Sequence, residues 1–205
     1  MINSAEIESI EKARGVLRAG GVILAPTDTV WGLMGDFENK AAVDKILALK
    51  RSRPRHLALL CADIESMKGL GLDFSDAAEK LSRLFWPGAI TLVVRSNSVR
   101  VRYIAGQGNA VGVRIPDAEQ LQELIRRHGN PLAATSANYS GNPPARNSAE
   151  IASSISKQVD HIFDFAINPS GLASTVIDCT GKKIKILRQG AISSDQIFKS
   201  GVGDA

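Results

Sequence analysis

The residues able to do chemistry in this sequence are hydroxyls, amides and cations: Thr27 and Thr29, Lys50 and Arg53, Arg114, Ser136 and Asn138, Ser174, and Arg188. None is an obvious general base, so a hydrolase or dehydratase is a poor match. Transfer of a nucleotidyl group asks for less, chiefly positioning and neutralisation of phosphate oxygens, usually with a magnesium ion. The inventory suits that chemistry. Other sites are missing: there is no GxxxxGK[ST] and no GxSxG, and Gly106-Gln107-Gly108 precedes an apolar run where a dinucleotide fingerprint would follow one. His56, His128 and His161 are scattered without metal-ligand spacing.

Two polar turns must present these groups. Pro131-Leu132-Ala133-Ala134 begins as a small apolar strand and passes into Thr135-Ser136-Ala137-Asn138-Tyr139-Ser140-Gly141, closed by Asn142 and a Pro pair. In extended geometry Ser136, Asn138 and Ser140 share one face. They offer neutral donors and acceptors that fit a phosphate or a carboxylate. The second turn, Pro26-Thr27-Asp28-Thr29-Val30-Trp31-Gly32-Leu33, follows the wholly apolar Val22-Ile23-Leu24-Ala25. If the two strands are neighbours, both turns reach one crevice at the ends of buried strands. Arg114 interrupts the apolar run Val111 to Ile115, and a buried arginine requires an anionic partner. An internal carboxylate and a ligand both satisfy that requirement. The ligand reading adds that Arg114 is replaceable without loss of the fold.

The elements follow from periodicity. Helices are expected with caps at Ser4, Asn39, Ser75, Ser148 and Ser194, and another carries Leu121, Leu124 and Ile125 inward. Strands are expected at 22–25, 57–61, 89–94, 99–104, 111–116, from 131, and at 161–165. Residues 171–179 and 184–188, separated by Thr180-Gly181-Lys182, predict an antiparallel hairpin and hence a mixed sheet. The length of 205 residues, with no low-complexity linker, predicts one domain over 1–205. No apolar run spans a bilayer and no signal peptide is visible, and Cys61 and Cys179 read as two buried thiols, which together predict a cytoplasmic protein without membrane association. The net charge is +4, with basic residues bunched at 50–55, at Arg95, Arg100 and Arg102, and at 182–188.

Taken together, Pro26 to Leu33, the Lys50 to Pro54 basic motif, Phe85-Trp86-Pro87-Gly88 with Thr91-Leu92, Val111 to Pro116, Ser136 to Gly141, Ser174-Thr175-Val176-Ile177-Asp178 and Leu187-Arg188-Gln189-Gly190 resemble the YrdC/TsaC family of threonylcarbamoyl-AMP synthases. The resemblance implies an α/β fold with an open twisted mixed β-sheet, flanking helices and a positively charged concave cleft. It implies formation of threonylcarbamoyl-AMP and pyrophosphate from L-threonine, bicarbonate and ATP with Mg2+, for N6-threonylcarbamoylation of tRNA adenosine 37 by a downstream threonylcarbamoyl transferase complex. Carried over by motif, Thr27, Arg114 and Ser174 hold threonine, and Lys50, Arg53, Ser136, Asn138 and Arg188 hold ATP. The family usually shows Lys-x-Arg, so either Lys50 and Arg53 or Arg51 and Arg53 face phosphate. A paralogue group with this fold lacks the Ser-Ala-Asn loop, which this chain has.

A non-catalytic module that binds tRNA or other RNA is the reading from another class. The charge favours it. The six Phe, two Trp and two Tyr residues, mostly inside apolar patterns, leave little for base stacking. A carbamoyl-adenylate-forming domain of the hydrogenase-maturation type also resembles this fold, normally within a much longer chain.

Overall fold

The computed structural model describes residues 2–51, 57–139 and 141–202. The chain forms a twisted mixed α/β sheet whose strands are β1 (Ile23–Ala25), β2 (Gly32–Asp36), β3 (Ala58–Leu60), β4 (Leu72–Asp73), β5 (Ile90–Ser96), β6 (Ala110–Arg114), β7 (Leu132–Ser136), β8 (His161–Ile162), β9 (Thr175–Asp178) and β10 (Lys185–Arg188). They are ordered β10-β9-β5-β6-β3-β7-β2-β1-β8, with β4 beside β5. The pairs β3/β6, β5/β9 and β1/β8 are parallel, whereas β2 pairs antiparallel with both β1 and β7. One strand therefore separates the two polar turns, and both leave the sheet at the same level: Gly32 is opposite Ala25 on one side and Ser136 on the other. The expected hairpin is present, β9 pairing antiparallel with β10.

Alternation along each strand sends successive side chains to opposite faces and so builds two cores. On one face Leu33, Leu59, Leu92, Val113 and Ala133 pack with helices α2 (Lys40–Lys50) and α3 (Asp76–Phe85). On the other, Met34, Leu60 and Leu132 pack with α1 (Ser4–Arg18) and α4 (Glu119–His128). That second face carries Gly32, Ala58, Gly112 and Ala134, and Ala58 stands in register with both Ala134 and Gly112. Side chains this small leave volume above the sheet, where the cavity described below lies.

Local hydrogen bonding shifts several boundaries from their sequence expectation. Asn3, not Ser4, caps α1, because its carboxamide accepts from Glu6 N while the Glu6 carboxylate accepts from Asn3 N. Ser193, not Ser194, caps α6 (Ser194–Lys199) through the same reciprocal pair with Gln196. The expected strand at 99–104 is instead a 3-10 turn at Val99–Val101, started by Arg100 N donating to the Ser98 hydroxyl. The apolar alternation there was misleading: Val99 is exposed, while Val101 and Ile104, three apart, are buried. The helix expected from Ser148 is a 3-10 turn at Ser148–Glu150, capped by Asn147, and a separate α5 (Ser153–Ser156), with extended Ile151 between them. Cys61 and Cys179 are both free and buried, with burial pushing each thiol up to about 12.

Candidate active site

The described residues enclose a cavity of about 520 Å³ on the small-residue face of the sheet. Thr27, Arg114, Ser136, Ser174 and Arg188 all line it, so residues proposed from five separate stretches of sequence meet in one place. Lys50 and Asn138 stand behind Ser136. Arg53 and Ser140 lie outside the described residues.

The turn after β1 is built on the hydroxyl of Thr27. It donates to Val30 O (2.7 Å), accepts from Thr29 N and Val30 N (both 3.1 Å), and lies 2.8 Å from Thr29 Oγ1. Thr27 is spent mainly on the turn, and Thr29 carries its polarity towards the cavity. Thr29 Oγ1 accepts from Arg114 Nη1 (2.9 Å), while Arg114 Nη2 donates to Asp28 Oδ1 (2.6 Å) and Nε to Gly88 O (2.9 Å). Of the two anionic partners that a buried arginine could take, the chain supplies one itself. Burial pulls the Arg114 guanidinium below its ordinary value, the adjacent Asp28 opposes that pull, and the charge of Arg188 adds to it.

On the opposite wall Ser174 Oγ lies 2.8 Å from Thr91 Oγ1 and accepts from Arg188 Nη2 (3.2 Å), which also donates to Ser174 O (2.9 Å). Arg188 reaches Ser174 because β10 pairs with β9, Arg188 standing opposite Val176, and the backbone at Gly190 passes so close to Ala173 and Ser174 that a Cβ would sit 2.2 Å from Ala173 O. No side chain can be accommodated there. Thr91 is quoted in the sequence reading only as part of a family motif and is given no role at the site, although a lone hydroxyl inside Ile90-Thr91-Leu92-Val93-Val94 is the same kind of signal as Arg114 in its own strand.

Lys50, at the last position of α2, turns inward. Its ammonium donates to Ser136 O (2.9 Å), Ser136 Oγ (2.8 Å) and Asn138 Oδ1 (2.8 Å), one acceptor for each of its three protons. Ser136 Oγ and Asn138 Oδ1 thus converge on one ammonium, although β7 itself ends at Ser136. Burial, reinforced by Arg188, lowers the Lys50 pKa to about 8. Arg51 adopts a left-handed conformation (φ 52°) as the C-cap of α2 and lays its guanidinium 4.6 Å from the Tyr139 ring centroid. Lys50 and Arg51 thus brace the same loop from two sides.

The chemistry open to this geometry is anion capture by two arginines among fixed hydroxyls. No aspartate or glutamate lines the cavity among the described residues. A family model described as "Telomere recombination", for Sua5, YciO and YrdC, matches residues 15–190. The chain belongs to the Sua5/YciO/YrdC family. A threonylcarbamoyl-AMP synthase of Pyrococcus abyssi is 34% identical over 191 residues, which cover 93% of this chain and 56% of the relative. The enzyme of that name from Stenotrophomonas maltophilia is 36% identical over 160 residues, 76% of this chain and 86% of the relative. The crystal structure of P. abyssi Sua5 complexed with L-threonine superposes with a TM-score of 0.86 at 33% identity, covering 95% of this chain and 57% of that one. This Sua5/YciO/YrdC chain therefore spans just over half the length of its Pyrococcus relatives. Among its described residues no helix is long and apolar enough to cross a membrane, and no group of three or more His, Cys, Asp or Glu is placed to hold a metal ion.

Proposed function

We propose that the chain is a threonylcarbamoyl-AMP synthase, a nucleotidyltransferase acting on L-threonine, bicarbonate and ATP. The observation that carries this reading is the convergence of Arg114 and Arg188, each already oriented by fixed hydroxyls, on one cavity whose floor is made of glycine and alanine. The likeness to a Sua5 structure holding L-threonine supports it.

Threonine's amine adds to carbon dioxide derived from bicarbonate, losing a proton and forming an N–C bond. A carboxylate oxygen of the resulting carbamate attacks the α-phosphorus of ATP as the bond to the β-phosphate oxygen breaks, giving threonylcarbamoyl-AMP and pyrophosphate. The carbamate is too short-lived to diffuse, so holding it beside the nucleotide supplies most of the rate. Arg114 opposes the amino-acid carboxylate, Arg188 opposes charge on the wall formed by Ser174 and Thr91, and Ser136 and Asn138 fix the nucleotide without adding negative charge. Mg2+ neutralises phosphate charge when bound. The described lining offers no carboxylate to hold it, so it would be carried by the phosphates of ATP. The product is a mixed anhydride that hydrolyses if released idly, and a transferase acting on tRNA adenosine 37 must consume it.

Purified protein with Mg2+ and ATP is expected to release pyrophosphate only when threonine and bicarbonate are both supplied. Pyrophosphate release indifferent to threonine, or orthophosphate in its place, would remove this assignment. RNA binding with a steep salt dependence and no turnover would favour the RNA-binding module instead.

A further inference from the structure

Asp28 sits in the turn that follows β1 and does not line the cavity, yet it bonds to three separate segments of the site's frame. Its Oδ1 accepts from Arg114 Nη2 at the end of β6 and from Asp117 N (3.2 Å) just before α4. Its carbonyl accepts from Ser170 N (3.0 Å), and the next residue's carbonyl accepts from Gly171 N (2.8 Å). The side chains of Arg114 and Asp28 are 6% and 16% exposed, so the pair is shielded from solvent. A guanidinium is a rigid plane, and its orientation is set once bonds on different edges are fixed. Gly88 O holds the Nε edge and Thr29 Oγ1 holds Nη1, both neutral acceptors, whereas Asp28 makes the charge-assisted bond to Nη2.

We propose that Asp28 is the positioning residue of the amino-acid site: it fixes the plane of Arg114 so that the guanidinium protons not bonded to protein point at the substrate carboxylate. The inference rests on the threonine reading given above. Two effects of removing the carboxylate have opposite signs. Freed from its internal counter-charge, Arg114 would attract a substrate carboxylate more strongly. Freed from its anchor, a buried cation in the field of Arg188 would swing out of alignment, and misplacement of about 1 Å is enough to cost a site orders of magnitude. The geometry favours the second effect, because the other two anchors are neutral and roughly half as strong.

Calorimetric titration of L-threonine, and separately of Mg-ATP, into wild type, Asp28→Asn and Asp28→Ala separates these effects. Asn keeps an acceptor in place of Oδ1 and loses only the charge, so threonine Kd should rise about threefold or more in Asp28→Asn and about tenfold or more in Asp28→Ala, with the ATP Kd within about twofold of wild type. If Asp28→Ala fails to fold, the Asn variant decides alone. Threonine affinity unchanged or tightened in Asp28→Asn would overturn the proposal in favour of simple charge competition. Parallel loss of threonine and ATP affinity would overturn it in favour of a structural pair. Failure of the wild type to bind threonine is read independently of the variants; it would defeat the functional reading, and this inference with it.

Discussion

Arg114→Gln is expected to weaken threonine binding by at least about 30-fold, because truncating one partner of a desolvated charge pair costs about 2–5 kcal/mol in affinity. The fold pays as well. A ligand-serving arginine is expected from sequence to be replaceable without loss, but here Arg114 is bonded to Asp28, and its removal strands a carboxylate that is only 16% exposed. Complete burial would cost about 3–5 kcal/mol. Discounted for the remaining exposure, about 2–3 kcal/mol is expected, or roughly 5–10 °C in Tm for a chain of this size. Adding Asp28→Asn removes the stranded charge, so the double variant should regain part of the Tm and none of the threonine affinity. Calorimetry on the two singles and the double checks both halves. Normal threonine binding by Arg114→Gln would leave Arg114 as a structural ion pair and nothing more.

Lys50→Met should carry the other large effect. Methionine keeps the length and apolar stem of lysine but offers no donor, so Ser136 O, Ser136 Oγ and Asn138 Oδ1 lose their common anchor. A fall in kcat/KM of about 10- to 100-fold is expected from misplacement of the loop. The pH profile gives the sharper signature. Lys50 has a folded pKa lowered to about 8 by burial and by Arg188, below its ordinary value. Between about pH 8 and that ordinary value the unfolded chain binds the proton that the folded chain has lost, so this group's contribution to stability rises with pH across that window. Activity should run the other way, falling as pH rises through about 8, because the neutral amine cannot fill all three acceptors. Lys50→Met should lack both the alkaline fall in activity and the rise in stability. An unchanged alkaline limb in Lys50→Met would show that another group titrates there.

Much of this architecture is written locally in the chain. The runs at 22–25, 89–94 and 131–134 are apolar enough to be strands whatever surrounds them, and Asn39 and Ser75 do cap α2 and α3. The mixed sheet follows from the hairpin at its edge. What was not legible depends on groups that compete over short range or meet over long range. Asn3 and Ser4 are both good caps, and only the reach of Glu6 back to Asn3 N chooses between them. Val99-Arg100-Val101 alternates like a strand, and the Ser98 hydroxyl turns it into a 3-10 segment.

At the site, Thr27, Arg114, Ser136, Ser174 and Arg188 could be chosen because hydroxyls and cations at the ends of apolar strands are conspicuous. Asp28 could not be assigned to Arg114, because the two are separated by 86 residues and only the sheet order brings them together. Thr91 meets Ser174 in the same way, across 83 residues. The direction taken by Lys50 was open as well. A lysine beside a basic cluster reads as a phosphate ligand, but the fold turns it onto two neutral side chains of the opposite loop.

The central claim is that one cavity joins threonine, bicarbonate and ATP. Incubating the protein with 13C-bicarbonate, L-threonine and Mg-ATP, followed by rapid quenching and mass spectrometry, tests it most directly. An AMP adduct that carries both the threonine skeleton and the labelled carbon is expected, formed in step with pyrophosphate and absent when either threonine or bicarbonate is left out. A threonyl-AMP adduct without the label, or turnover of ATP with no adduct at all, would contradict it.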